Sequence, residues 1–289
     1  MSTARYSLLI EPHQLAALAP GADVAIIDCR HELARPEWGA QAYRQAHLPG
    51  AVYAHLDRDL SSAVSAHSGR HPLPDPVRLA VKFGEWGIDR GTQIVAYDQG
   101  NGAMAARLWW LARWLGHERV AVLNGGLAAW QAAGLPLESS PARPTPRHFE
   151  AGTPLEQVMS AAEVQRSLTD PGFVLIDARA ADRFAGRNET IDPIAGHVRG
   201  ARNHPFTRNL DANGRFLPAA ELAREWDDTL AAASAPATAR IACMCGSGVT
   251  ACHNLLALAL AGRRGAALYA GSWSEWIRDP ARPRATGTD

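Results

Sequence analysis

The chain is short of cysteine, of aromatic residues and of any excess of charge, and each shortage excludes something. Four cysteines in 289 residues, Cys29, Cys243, Cys245 and Cys252, are too few and too unevenly placed for a disulfide framework and fit a reduced compartment. Basic residues number 29 and acidic residues 29, so the formal net charge is zero. A balanced chain lacks the electrostatic footprint of a nucleic-acid binder or of a protein held on an anionic membrane. No apolar run approaches the about 20 residues that a membrane span needs. The N-terminal stretch MSTARYSLLIEPHQL has one arginine and a short apolar run before Glu11, which is not the pattern of a signal peptide. The expectation is a cytoplasmic protein without nucleic-acid or membrane partners. What is present supports a folded enzyme-sized chain: 47% apolar and 20% charged residues supply a substantial core, and the length accommodates two domains.

Four landmarks occur twice in the same order. Val24-Ala25-Ile26-Ile27-Asp28-Cys29-Arg30, an apolar strand ending in Asp-x-Arg, returns as Val174-Leu175-Ile176-Asp177-Ala178-Arg179. His47-Leu48-Pro49-Gly50-Ala51 returns as His197-Val198-Arg199-Gly200-Ala201. The run Ile94 to Asp98 leads through glycines into a helical stretch from Ala103 to Leu115, and Ile241 to Met244 leads likewise into Thr250 to Ala261, with Gly262 as the stop. The segment Val120 to Trp130 pairs with Ala267 to Trp276, with the same spacing from Gly125 or Gly271 to tryptophan. A duplicated α/β domain follows, each copy a mostly parallel central sheet flanked by helices. The boundaries read as domain one at 1–138, an extended Pro-, Ser- and Arg-rich linker at 139–155, domain two at 156–280 and a flexible tail at 281–289.

The copies differ in chemistry. In the second, a strand, a cysteine, the Gly-rich turn Gly246-Ser247-Gly248-Val249-Thr250 and a helix N-terminus follow one another. Backbone N–H groups of such a turn, with the helix dipole, form an anion cradle. A cysteine at its mouth is expected as a thiolate, so Cys245 is read as a nucleophile. Gly246 and Gly248 favour that reading over a buried structural cysteine, which needs no glycines around it. The first copy carries Gln99 where the second has Cys245, so it is left with a structural role or with one wall of a cleft between the domains.

Other candidates carry less. Cys243-x-Cys245 and Cys252-His253 lack the spacing of a structural zinc site, so no metal is expected, and no cofactor either. Cys243 reads as a buried strand residue, Trp109, Trp110 and Trp114 as packing, and Asp28 and Asp177 as strand-end anchors. A phosphatase of the Cys-x5-Arg type needs arginine six residues after the cysteine; that residue is Ala251.

These landmarks, together with Gly271-Ser272-Trp273-Ser274-Glu275-Trp276, resemble the tandem-domain rhodanese-type sulfurtransferases over roughly residues 8 to 278. The resemblance implies that Cys245 takes sulfur from a donor as a persulfide and passes it to cyanide, a thiol or a protein dithiol such as a thioredoxin-like partner. It also implies a choice of donor. Members that use thiosulfate carry cations just after the cysteine, whereas here Gly246 and Ser247 are neutral, as in the 3-mercaptopyruvate sulfurtransferases. Thiosulfate remains the alternative donor, and a persulfide carrier module the alternative of another class. In the mercaptopyruvate subfamily a Ser–His–Asp relay matches Ser247, His71 and Asp57, with Asp59 close to the last, and puts Asp57 and His71 in domain one. Arg183 matches the arginine that binds the donor, with Gly246, Gly248, Val249 and Thr250 completing the pocket. A second family arginine, seven residues before the His-x-x-Gly-Ala motif, is Thr190 here, with Arg187 nearby as its substitute. Ala270 stands where an aspartate commonly precedes Gly-Ser-Trp.

Overall fold

The computed structural model describes residues 6–18 and 23–288. Met1–Arg5 of the N-terminal stretch and Asp289 of the tail lie outside the described residues. The chain separates into two compact units, one of residues 1–62, 73–155 and 212–216, the other of residues 63–72, 156–211 and 217–289.

The first unit contains β1 (Leu9–Ile10), α1 (Pro12–Ala17), β2 (Val24–Asp28), α2 (Trp38–Gln45), β3 (Val52–Tyr53), α3 (Pro76–Glu85), β4 (Gln93–Tyr97), α4 (Ala105–Trp114), β5 (Val120–Leu123) and α5 (Gly126–Ala132). Its sheet runs β1-β5-β4-β2-β3 and all its pairs are parallel. The second unit contains β6 (Gln157–Val158), α6 (Ala161–Ser167), β7 (Phe173–Asp177), α7 (Ala181–Phe184), β8 (His197–Val198), β9 (Arg202–Asn203), a 3-10 turn (Phe206–Asn209), α8 (Ala219–Ala232), β10 (Arg240–Met244), α9 (Thr250–Leu260), β11 (Ala267–Leu268), α10 (Ser272–Trp276) and β12 (Arg284–Ala285). Its main sheet runs β6-β11-β10-β7-β9, again parallel throughout. The two orders superpose strand for strand, which is the duplication seen in the landmarks. The strands are short, nearly continuous apolar runs because a parallel sheet covered on both faces buries both sets of side chains. All five residues of β4 and of β7 are buried.

The two Asp-x-Arg corners explain themselves. Arg30 turns back on Asp28, with Nη2 to Oδ2 at 2.6 Å, and donates to the Ala46 carbonyl at 2.7 Å. Arg179 does the same with Asp177 at 2.7 Å and the Gly196 carbonyl at 2.8 Å. Each carbonyl belongs to the residue just before a motif histidine, and each histidine, His47 or His197, stacks on an aromatic ring with its Nδ1 against a main-chain carbonyl. A buried ion pair thus ties the end of one strand to the start of the next loop, in both copies.

Two sequence expectations give way. Arg284 and Ala285, read as part of a flexible tail, form β12 and pair antiparallel with β8. The Trp276 indole donates to the Pro283 carbonyl at 3.0 Å and holds the chain there. Residues 63–72, read as domain one, belong to the second unit: Gly69 lies so close to Gly271 that a methyl on it would stand 2.4 Å from the Gly271 carbonyl oxygen. The stretch 139–155 is without helix or strand and docks on the first unit, with the Arg147 N–H donating to Gly84 and Phe149 edge-on to Phe83.

Candidate active site

Cys245 follows the last residue of β10, and Thr250 opens α9. The turn between them is fixed from three sides. The N–H groups of Trp273 and Ser274, at the start of α10, donate to the carbonyls of Cys245 and Gly246 at 3.0 and 2.9 Å. The Cys252 thiol donates to the Gly248 carbonyl at 3.3 Å. Gly248 has φ +80°, and a methyl there would lie 2.3 Å from the Ala270 carbonyl oxygen, so glycine is required twice over. The Gly248 N–H donates to Cys245 Sγ at 3.1 Å.

The sequence led us to expect a full ring of amides from Gly246 to Ala251 around a sulfur at the mouth of the turn. Among the described residues the Gly248 amide is the one that donates to the sulfur, and Cys245 is buried, with 2% of its surface exposed. The rest of the positive potential comes from side chains. Burial works against the charge on Arg179, and Asp177, Glu189 and the Cys245 sulfur outweigh it, so its pKa rises above the ordinary value. Cys243, two residues earlier in β10, has its thiol pushed up by burial and by the neighbouring Cys252 and Cys245 sulfurs, which suits an inert packing residue.

Ser272 is a residue whose importance the sequence pattern alone does not explain. It sits at φ 56°, a left-handed position that its counterpart in the first copy, Gly126, occupies at φ 55° as a glycine. The hydroxyl accounts for the difference. It accepts the Cys245 N–H at 3.0 Å and donates to the Tyr269 carbonyl at 2.9 Å, so a strained backbone fixes the Cys245 main chain.

Ser247 and His71 come together as expected, both buried, with His71 Nδ1 and Ser247 Oγ sharing a hydrogen bond of 2.7 Å. Because residues 63–72 belong to the second unit, this pair lies within one unit, contrary to the assignment of His71 to domain one. Asp57 lies in the first unit, where its N–H donates to His55 Nδ1 at 3.1 Å. His31, His55 and Asp57 there have ligand-type atoms within 4.8 Å of one another, a grouping the cysteine-based search for metal ligands did not consider.

Three arginine side chains, two of them by their guanidiniums, approach Gly246, the residue after Cys245. A methyl built on Gly246 would lie 2.9 Å from Arg70 Nη2, 3.7 Å from Arg183 Nη2 and 3.9 Å from Arg179 Cδ. A side chain at position 246 would push against the Arg70 guanidinium. Arg183 pairs with Glu189 at 2.8 Å and with Asp192 at 3.3 Å, Arg179 with Glu189 at 3.3 Å, and Arg70 with Asp192. Burial would raise the Glu189 carboxyl, but Arg183 and the amides of Asp192 and Ile191 hold it below its ordinary value. Asp192 goes the other way: burial raises it and Arg70 only partly offsets this. Arg187 is exposed on the next turn, its N–H donating to Asp182. The second guanidinium at Gly246 thus belongs to Arg70. Sequence reasoning missed Arg70, Glu189 and Asp192, although Arg70 directly precedes His71.

The repeated parallel sheet and a cysteine loop at the head of a helix define the class: the chain belongs to the rhodanese-like domain family, whose model matches residues 11–133 and again 160–279. It is 49% identical over 281 residues to a Pseudomonas aeruginosa protein named "Probable 3-mercaptopyruvate sulfurtransferase", covering 96% of this chain and 98% of that one. It is 34% identical over 276 residues to the thiosulfate sulfurtransferase of Cricetulus griseus, covering 93% and 89%. Among solved structures, the 3-mercaptopyruvate sulfotransferase SseA of Escherichia coli aligns with a TM-score of 0.80 and 33% identity over 93% of this chain and all of that one.

Proposed function

We propose that the protein is a sulfurtransferase that takes sulfur from 3-mercaptopyruvate through a persulfide on Cys245. The observation that carries this reading is the Cys245 turn itself, with its sulfur accepting the Gly248 amide beside the Ser247–His71 pair. The Cys245 thiolate attacks the thiol sulfur of the donor. A sulfur–sulfur bond forms, the donor's carbon–sulfur bond breaks, and its electron pair leaves on carbon as the enolate of pyruvate. The enolate takes a proton, which the hydrogen-bonded Ser247–His71 pair would relay. Cyanide then attacks the outer sulfur of the persulfide, leaves as thiocyanate and returns the thiolate; a thiol or a thioredoxin-like dithiol would accept in the same way. The Gly248 amide and the arginine charges stabilise the anionic sulfur in both states. Asp57 is the proposed third member of the relay, and Asp57→Asn tests it in the same assay. No helix among the described residues is long and apolar enough to cross a membrane, and we place the reaction in the cytoplasm.

Thiosulfate is the second reading, favoured by the Arg70 and Arg183 guanidiniums beside Gly246, since sulfite leaves as a dianion. The neutral Gly246 and Ser247 and the pairing of each arginine with a carboxylate favour mercaptopyruvate. Rates with the two donors, cyanide being the common acceptor, decide between them. Mercaptopyruvate is expected to give the higher kcat/KM; a wide margin for thiosulfate overturns the donor assignment.

A further inference from the structure

The Asp192 carboxylate is held by two guanidiniums at once. Its Oδ1 accepts from Arg70 Nη1 and its Oδ2 from Arg183 Nη2, the second at 3.3 Å. The carboxylate is buried, 2% exposed, while Arg70 and Arg183 keep 27% and 18% of their side chains open to solvent. Both guanidiniums also converge on Gly246, next to the nucleophile. Arg179 has no such freedom, being engaged by Asp177, Glu189 and the Gly196 carbonyl. A guanidinium has five N–H donors in a planar fork, so one carboxylate does not exhaust Arg70.

Arg70 is also well anchored. Its main-chain N–H donates to Ser274 Oγ at 3.0 Å, and Arg278, just past α10, holds the same stretch by donating to the Ala66 carbonyl at 3.1 Å. Position 190, where the resemblance implies a second donor-binding arginine, holds an exposed threonine. The site therefore has two accessible guanidiniums, but the second arises from residues 63–72 and not from the loop before His197.

We propose that Arg70 is a specificity-determining residue that, with Arg183, grips the carboxylate of the sulfur donor, Asp192 holding the two guanidiniums in that spacing. This rests on the donor being a 3-mercapto-2-oxo acid, as proposed above. With Asp192 bridging the two guanidiniums, the N–H donors it leaves unused on Arg70 and Arg183 are the ones a donor carboxylate would take.

The test compares 3-mercaptopyruvate with mercaptoacetone, the same α-mercaptoketone with methyl in place of the carboxylate. Wild-type enzyme is expected to prefer mercaptopyruvate. In Arg70→Met, kcat/KM for mercaptopyruvate falls by about 10- to 100-fold, mostly through KM, as for loss of a charged hydrogen-bonded contact. The ratio between the two donors narrows by a similar factor, and Arg70→Lys recovers part of it. An unchanged ratio, or an equal loss with both donors, overturns the assignment, because a merely structural residue would affect both alike. If Arg70→Met does not fold, as judged by circular dichroism, Arg70→Gln takes its place, with the ratio expected to narrow more than in Arg70→Lys. The donor reading is judged separately, on the wild-type comparison with thiosulfate, so the two can fail independently.

Discussion

At the scale of single residues, the site depends on a glycine that no other residue can replace. Gly248 combines a left-handed φ with a methyl-to-carbonyl distance that no side chain could tolerate, and its amide is the one that reaches the Cys245 sulfur. Gly248→Ala should therefore lower stability by roughly 2 kcal/mol or more and cut sulfur transfer by at least about 100-fold. Denaturant melts and steady-state rates check this; a variant with wild-type stability and activity would mean that the turn is softer than its geometry. The turn around Cys245 was legible in the sequence because its signature is local: strand, cysteine, glycines, helix. Arg70, Glu189 and Asp192 were not, because they are ordinary charged residues in loops that only tertiary packing brings to the nucleophile. Thr190 was a usable clue, since a cation missing from one loop invites a search for another. Ser272 could have been found by noticing a serine where the first copy has Gly126.

At the scale of elements, the two copies of the strand–turn–helix unit show why only one of them has an anion-binding turn open to a nucleophile. In the first copy Asp98 follows β4, and its buried carboxylate accepts the N–H groups of Gly100, Gly102, Met104 and Ala105, at 2.9 to 3.2 Å. The cradle at the head of α4 is filled by the chain's own anion. Asp98→Asn replaces a charged acceptor by a neutral amide with one acceptor oxygen, and should lower stability by about 2 kcal/mol, read from thermal unfolding. Adding a thiol by Gln99→Cys in a Cys245→Ser background should not restore transfer, because the amides there are already taken; restored activity would contradict that account. The sheet strands were readable from their apolar runs, and the ends of α9 from Thr250 and Gly262. The docking of residues 63–72 and the strand at Arg284–Ala285 were not, since neither stretch has apolar periodicity and both are held by main-chain contacts to distant partners.

At the scale of the whole molecule, duplication of one parallel-sheet domain accounts for the fold, and loss of symmetry in a few side chains accounts for the chemistry. Much of this was legible in four repeated landmarks, whereas the distribution of charge around the site was not. Buried histidines give the molecule a pH dependence of its own. His204, stacked on Trp226 and hydrogen-bonded with Thr229 and Asn209, is pushed down to about 4 by burial. The unfolded chain then binds the extra proton first, so stability is full above the ordinary histidine value near 6.5 and falls as the pH drops towards 4. The loss over that window is roughly 3 kcal/mol for this group. His204→Gln should flatten that part of the curve of melting temperature against pH; an equally steep curve would assign the acid sensitivity to other groups.

The central claim is that Cys245 carries the transferred sulfur. The most direct measurement is peptide mass spectrometry of the protein treated with 3-mercaptopyruvate and no acceptor. The account predicts a gain of one sulfur atom on the peptide containing Cys245, its removal by cyanide, and no such gain in Cys245→Ser. Sulfur found on Cys29, Cys243 or Cys252 instead, or transfer that survives Cys245→Ser, would contradict it.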